Sequence, residues 1–138
     1  MKFLEENKDF LNECISITNT TIDKVFKIDS NDEQEKQILG AYLFGMFNGL
    51  GHEKNSTPVE IQGAMIQVVN EKLKYSLESA VQFSQFLINS TDKGFHPTMF
   101  AIIHRGLEGY FMYKNGETEK LSRDFCDIIE VVKAATER

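Results

Sequence analysis

Apolar residues recur at spacings of three and four along most of the chain, and no stretch alternates as a strand would. The first run, Phe3, Leu4, Phe10, Leu11, Cys14, Ile15, Thr18, Ile22, Val25 and Phe26, predicts an amphipathic helix reaching about Lys27. The β-branched cluster from Ile17 to Ile22 weakens helix propensity, so a kink near Asn19, or two shorter helices, is expected. Asp29, Ser30, Asn31 and Asp32 read as a turn and N-cap, with Glu33 and Glu35 as acids in the first turn that follows. The helix they open should run to about Gly51. From Ile38 to Leu50 it is apolar all round, with water-facing positions only near Ala41 and Asn48, so it is expected to be the buried central helix.

His52 to Ser56 is a polar connection, and Thr57-Pro58-Val59-Glu60 is a capping box with proline at the first helical position. The helix beyond it should bury Ile61, Met65, Val68, Val69 and Leu73. Ser76 caps the next, Leu77 to Thr91, whose apolar positions include Leu77, Ala80, Val81, Phe83 and Leu87, with Lys93-Gly94 as its left-handed terminus. Pro97 then starts a helix that Asn115-Gly116 stops. Leu121, Phe125, Ile128, Ile129 and Val132 define a last amphipathic helix with Asp124, Asp127 and Glu130 outward. The expected fold is an all-α, single-domain bundle of about six helices spanning residues 1–138.

The helix from Pro97 carries most of the unusual chemistry. At about 100° per residue, Met99, Ile103, Leu107 and Tyr110 form a core face, and Ala101, His104, Arg105, Glu108 and Met112 form an opposite stripe. Gly106 and Gly109 share a third flank, where each costs up to about 1 kcal/mol against alanine. Gly45 and Gly49 form a similar flank on the central helix. Two such small-residue grooves are expected to pack together. A phosphate-binding role for these glycines lacks the strand, the loop and the following Lys-Ser or Lys-Thr.

Charge and composition narrow the partners. A chain of 138 residues with 41% hydrophobic residues, eleven phenylalanines and a net charge of −6 describes a folded, mildly acidic protein. Its fifteen basic residues are scattered among twenty-one acids, which disfavours nucleic acid and leaves a basic protein as the easier partner. The N-terminal MKFLEENKDF lacks a signal peptide's apolar segment and no apolar run approaches the ~20 residues of a membrane span, so no membrane association and a cytoplasmic location are expected. Cys14 and Cys126 both fall in apolar helical patterns and are expected to be buried free thiols.

No residue set stands out as catalytic, and no cofactor is implied. His96 and His104 are about 12 Å apart along one helix, too far to share a metal ion unaided; His96 fits better as the cap of the helix that Pro97 begins. His104 and Glu108 stand at i,i+4, a spacing that suits a shared ligand or a surface hydrogen bond. A small helical enzyme or a ligand- or metal-binding module centred on this pair is therefore an alternative reading, although a neighbouring nucleophile is missing. A structural homodimer is a third. His96, Arg105 and Glu108 also suit a role as buried polar pins between the glycine-bearing helices. The acids at Glu5-Glu6-Asp9, at Asp29, Asp32, Glu33 and Glu35, and at Asp124-Asp127-Glu130 are solvated helix faces or a docking surface.

The segments Gly40-Ala41-Tyr42-Leu43-Phe44-Gly45-Met46-Phe47-Asn48, Thr57-Pro58, His96-Pro97-Thr98-Met99, Ala101-Ile102-Ile103-His104-Arg105-Gly106 and Gly109-Tyr110 resemble the immunity protein 48 family of bacterial polymorphic toxin systems. The resemblance covers roughly Gln37 to Tyr113. It implies an all-α cytoplasmic protein, without enzymatic activity, that protects the producing cell by binding a cognate toxin. It carries no binding residues of its own. On physical grounds the toxin-binding candidates are Asp29, Asp32, Glu33 and Glu35, whose charge suits the basic cleft of a nuclease toxin, and His104, Arg105 and Glu108. Gly45, Gly49, His96, Pro97, Gly106 and Gly109 are the structural candidates.

Overall fold

In the computed structural model the backbone is described for residues 2–25 and 28–136, and the side chains for residues 9–23 and 28–136. The expected helix end near Lys27 and the side chains of Phe3, Leu4, Glu5, Glu6, Val25 and Phe26 lie outside the described residues. Six α-helices follow in order: α1 (Lys2–Thr20), α2 (Glu33–Lys54), α3 (Pro58–Lys72), α4 (Leu77–Asn89), α5 (Pro97–Lys114) and α6 (Thr118–Thr136). Among the described residues there is no strand.

The β-branched cluster does change the first helix, slightly later than expected. Regular α1 gives way at Thr21 to a single π-helical turn, Thr21–Val25. Buried Thr18 and Thr21 donate their hydroxyls to the carbonyls of Cys14 and Ile17, both at 2.8 Å, which satisfies them inside an apolar setting.

Helices α2 to α5 each open on the residue the sequence nominates. Asp32 caps α2 by accepting from the Glu35 amide at 3.1 Å. Thr57 and Glu60 complete the capping box of α3 at 3.2 and 3.0 Å, and Ser76 caps α4. His96 caps α5, its Nδ1 accepting from the Met99 amide at 3.1 Å. An imidazole so used is committed to its own helix.

The ends depart from expectation in two places. α2 does not stop at Gly51 but continues through Lys54, because buried Gly51 serves packing: a methyl there would sit 2.7 Å from Ile61 Cδ1. The left-handed terminal residue is Asn55, at φ 54°. α4 ends at Asn89, short of Thr91, and Gly94 is not left-handed. The Ser90 and Thr91 hydroxyls bond back to the carbonyls of Phe86 and Ile88, both at 2.7 Å, so the terminal carbonyls are satisfied without a left-handed residue. Gly116, at φ 75°, does make the expected turn after α5.

α2 is the centre of the bundle. Ile38, Leu39, Ala41, Tyr42, Leu43, Met46 and Phe47 are each at most 1% exposed, so Ala41 belongs to the core and Asn48 alone of the two expected openings is half-exposed. α5 packs along α2 more extensively than any other pair of helices meets, α3 pairs with α4 and reaches α1, and α6 folds back on α5. The apolar faces of α3, α5 and α6 point inward broadly as the sequence requires. Leu77 and Val81 of α4 are exposed, and so is Cys126, which lies one residue past buried Phe125 and off the core line of α6. Cys14 is buried, and burial pushes its thiol up, out of reach of ionisation at neutral pH.

Candidate functional site

The geometry of α5 is set by its seam with α2. A methyl on Gly45 would land on the Ile103 carbonyl and lie 2.8 Å from the Leu107 nitrogen; one on Gly106 would land on the Tyr42 carbonyl. Backbone therefore meets backbone, and the helix propensity lost at the glycines is offset by contact that no side chain would allow. On either side a tyrosine of one helix lies over a glycine of the other. The Tyr110 ring covers Gly49, and the Tyr42 ring passes Gly109. Gly45 beside Gly106, Gly49 beside Tyr110 and Glu53 beside Lys114 advance together, so the two helices run parallel.

The notch at Gly109 lets the Tyr42 hydroxyl reach α6, where it donates to Asp124 Oδ2 at 2.9 Å. Burial, followed by the adjacent carboxylate, pushes the Tyr42 phenol well above its ordinary range, so it remains a donor. The other Asp124 oxygen accepts from Arg105 Nε at 3.0 Å and from its terminal nitrogen. Asp124 was expected to point outward. Its side chain is instead only 11% exposed, wedged between a buried phenol and a guanidinium that is 46% exposed. Arg105 is thus an exposed cation fixed by a partner that is itself fixed from the core.

The expected stripe of His104, Arg105 and Glu108 is exposed, which removes the reading of Arg105 and Glu108 as buried pins. It also divides. The His104 ring packs against Phe100, centroids 4.3 Å apart and planes tilted by 50°, and borders a small cleft of about 130 Å³ with Gly45, Asn48 and Thr91. Arg105 faces the other way, toward α6. Glu108 does not line that cleft, so the i,i+4 pair does not converge on it. Among the described residues no group of three His, Cys, Asp or Glu side chains is placed to hold a metal ion.

Beyond Arg105, the N-terminal half of α5 and the C-terminal half of α6 diverge around a cleft of about 390 Å³. Ala101, Ile102, Ile128 and Val132 make it apolar, and Val131 stands at its edge 68% exposed. Arg105 and Asp127 are the charged residues of its wall. The sequence reading missed this groove, because it needs the register of two helices. Its one local signal was Val131, an apolar residue off the core line of α6.

The acidic candidates are partly spent inside the molecule. Lys133 of α6 donates to Asp32 at 2.9 Å and to Glu35 at 2.5 Å, clipping the start of α2 to the end of α6. Glu35, expected on a solvated face, is buried. The Lys133 hydrogen bond holds the Asp32 carboxyl at about 2. Asp29 and Glu33 remain exposed, Glu33 accepting from the Tyr75 hydroxyl at 2.5 Å. A larger, polar cleft of about 840 Å³ lies between α1 and the α2–α3 connection, bordered by Asp9, Glu13, Lys54 and Glu60; Glu13 and Lys54 pair across it at 3.5 Å.

No curated protein matches the chain, and no solved structure does. The family model described as Immunity protein 48 matches residues 10–133, taking in all of α2 to α5, the seam, both walls of the groove and the Lys133 clip. By that match the chain belongs to the Immunity protein 48 family.

Proposed function

We propose that the protein binds and neutralises a cognate toxin of a bacterial polymorphic toxin system, by protein–protein inhibition and without chemistry of its own, in the cytoplasm of the cell that makes both. Membership of the Immunity protein 48 family across residues 10–133 carries this reading. The surface suits it: a net charge of −6, with Asp29 and Glu33 outward at one end of α2, favours fast association with a basic partner. A nuclease with a phosphate-binding cleft is the toxin class this charge fits best, carboxylates taking phosphate positions.

Co-expression tests it. The toxin-like protein encoded beside this gene is expressed with and without the tagged immunity protein, and growth and co-purification are followed. Rescue of growth with a stoichiometric complex is the expected result. Undiminished toxicity with no complex contradicts the reading, and a bound toxin whose active site is not basic contradicts its nuclease part.

A further inference from the structure

Resting on the immunity reading, we infer that the groove between α5 and α6 is where the toxin docks, and that it receives an apolar side chain flanked by a lysine or arginine on the toxin. The groove has an apolar floor in Ala101, Ile102, Ile128 and Val132. Val131 on its rim is 68% exposed, among the most exposed large hydrophobics of the described residues, and packing against the core does not account for it.

The charge of the walls names the occupant. Arg105 already shares its charge with Asp124, which Tyr42 holds in turn, so the guanidinium offers a fixed, neutralised edge rather than an unmet cation. Asp127 is exposed, and among the described residues its carboxylate takes part in no hydrogen bond or ion pair. The unmet charge of the groove is therefore negative. A segment that seats an apolar side chain on the floor brings its neighbouring cation to Asp127, and an acidic segment is repelled there. The polar cleft beside α1 has Phe10 as its one large apolar wall residue, and the lysine that lines it, Lys54, is paired with Glu13.

The test measures affinity for the adjacent toxin domain, in inactive form, with three single variants of the full chain. Val131→Arg fills the rim with charge and is expected to weaken binding about 30-fold or more, as loss of a central interface contact does. Asp127→Lys is expected to weaken it about 10-fold, more so at low salt, where charge is screened less. Val59→Arg, at a still more exposed valine on α3, is expected to bind as the natural chain does. All three positions are exposed, and thermal melts within a few degrees of the natural chain establish that each variant is folded. Full affinity in folded Val131→Arg and Asp127→Lys overturns the groove while leaving the immunity reading in place. Failure of the natural chain to bind or to protect overturns both. A dimer of the natural chain that Val131→Arg converts to monomer, with toxin binding unaltered, assigns the groove to a second copy and also overturns the proposal.

Discussion

The two sides of α5 are built on opposite rules. Toward α2 the helix carries Gly106 and Gly109, and the backbones close until no methyl fits between them. Toward α6 it carries Ala101 and Ile102, small and medium side chains that fail to fill the gap to Ile128 and Val132, and a groove remains. The closed side fixes where the helix lies. The open side is the one proposed above to receive the toxin. The contrast teaches that the most unusual residues of the sequence, its glycines, serve the fold, while the groove read here as functional is made of ordinary aliphatic side chains.

That contrast breaks most sharply at the closed side. Gly45→Ala or Gly106→Ala forces two backbones apart and is expected to cost about 3 kcal/mol in denaturant unfolding. Gly63→Ala, on an exposed face of α3 with nothing within 4 Å, is expected to gain about 1 kcal/mol by helix propensity alone. Equal behaviour of the two kinds of glycine would remove the seam as the organiser. Arg105→Ala tests the join between the sides. It removes a half-exposed ion pair but leaves Tyr42 bonded to Asp124, so a loss of up to about 1 kcal/mol is expected in thermal melts.

The smallest effect lies at the Lys133 clip and depends on pH. The folded state lowers the Asp32 carboxyl from 3.8 to about 2, so the folded form releases this proton more readily than the unfolded one. The resulting stability is present above pH 4 and disappears as pH falls toward 2. Asp32→Asn keeps a capping oxygen but loses the charge; its melting temperature should fall below that of the natural chain near neutrality and converge with it in acid. A difference that persists unchanged at pH 2 would show that the clip is not electrostatic.

Much of this was legible because it is local. Thr57 and Glu60 lie three residues apart, His96 and Pro97 are adjacent, and the flanks of Gly45 and Gly106 follow from helical periodicity, so caps, helix order and the expectation of a glycine seam came from short-range pattern. What escaped was distant pairing. Lys133 stands about a hundred residues from Asp32 and Glu35, and the local pattern that reads the two acids as a solvated face holds no sign of the lysine they meet. Asp124 was misplaced for the same reason, its partner Tyr42 being on another helix. Gly51 and Gly94 misled because glycine ends a helix only when packing does not want it inside, and a serine hydroxyl can do its work at the terminus. The groove needed two helices in register before it existed at all.

Whether the toxin sits on the α5–α6 groove is decided by amide hydrogen exchange of the protein alone and with the inactive toxin domain, because it reads every helix at once. Toxin-dependent slowing is expected in the C-terminal half of α6, around Asp127 to Val132, and in the first half of α5, with little change in the seam near Gly45, which is already closed. Slowing confined to the cleft between α1 and α3, with none along the α5–α6 groove, would contradict it.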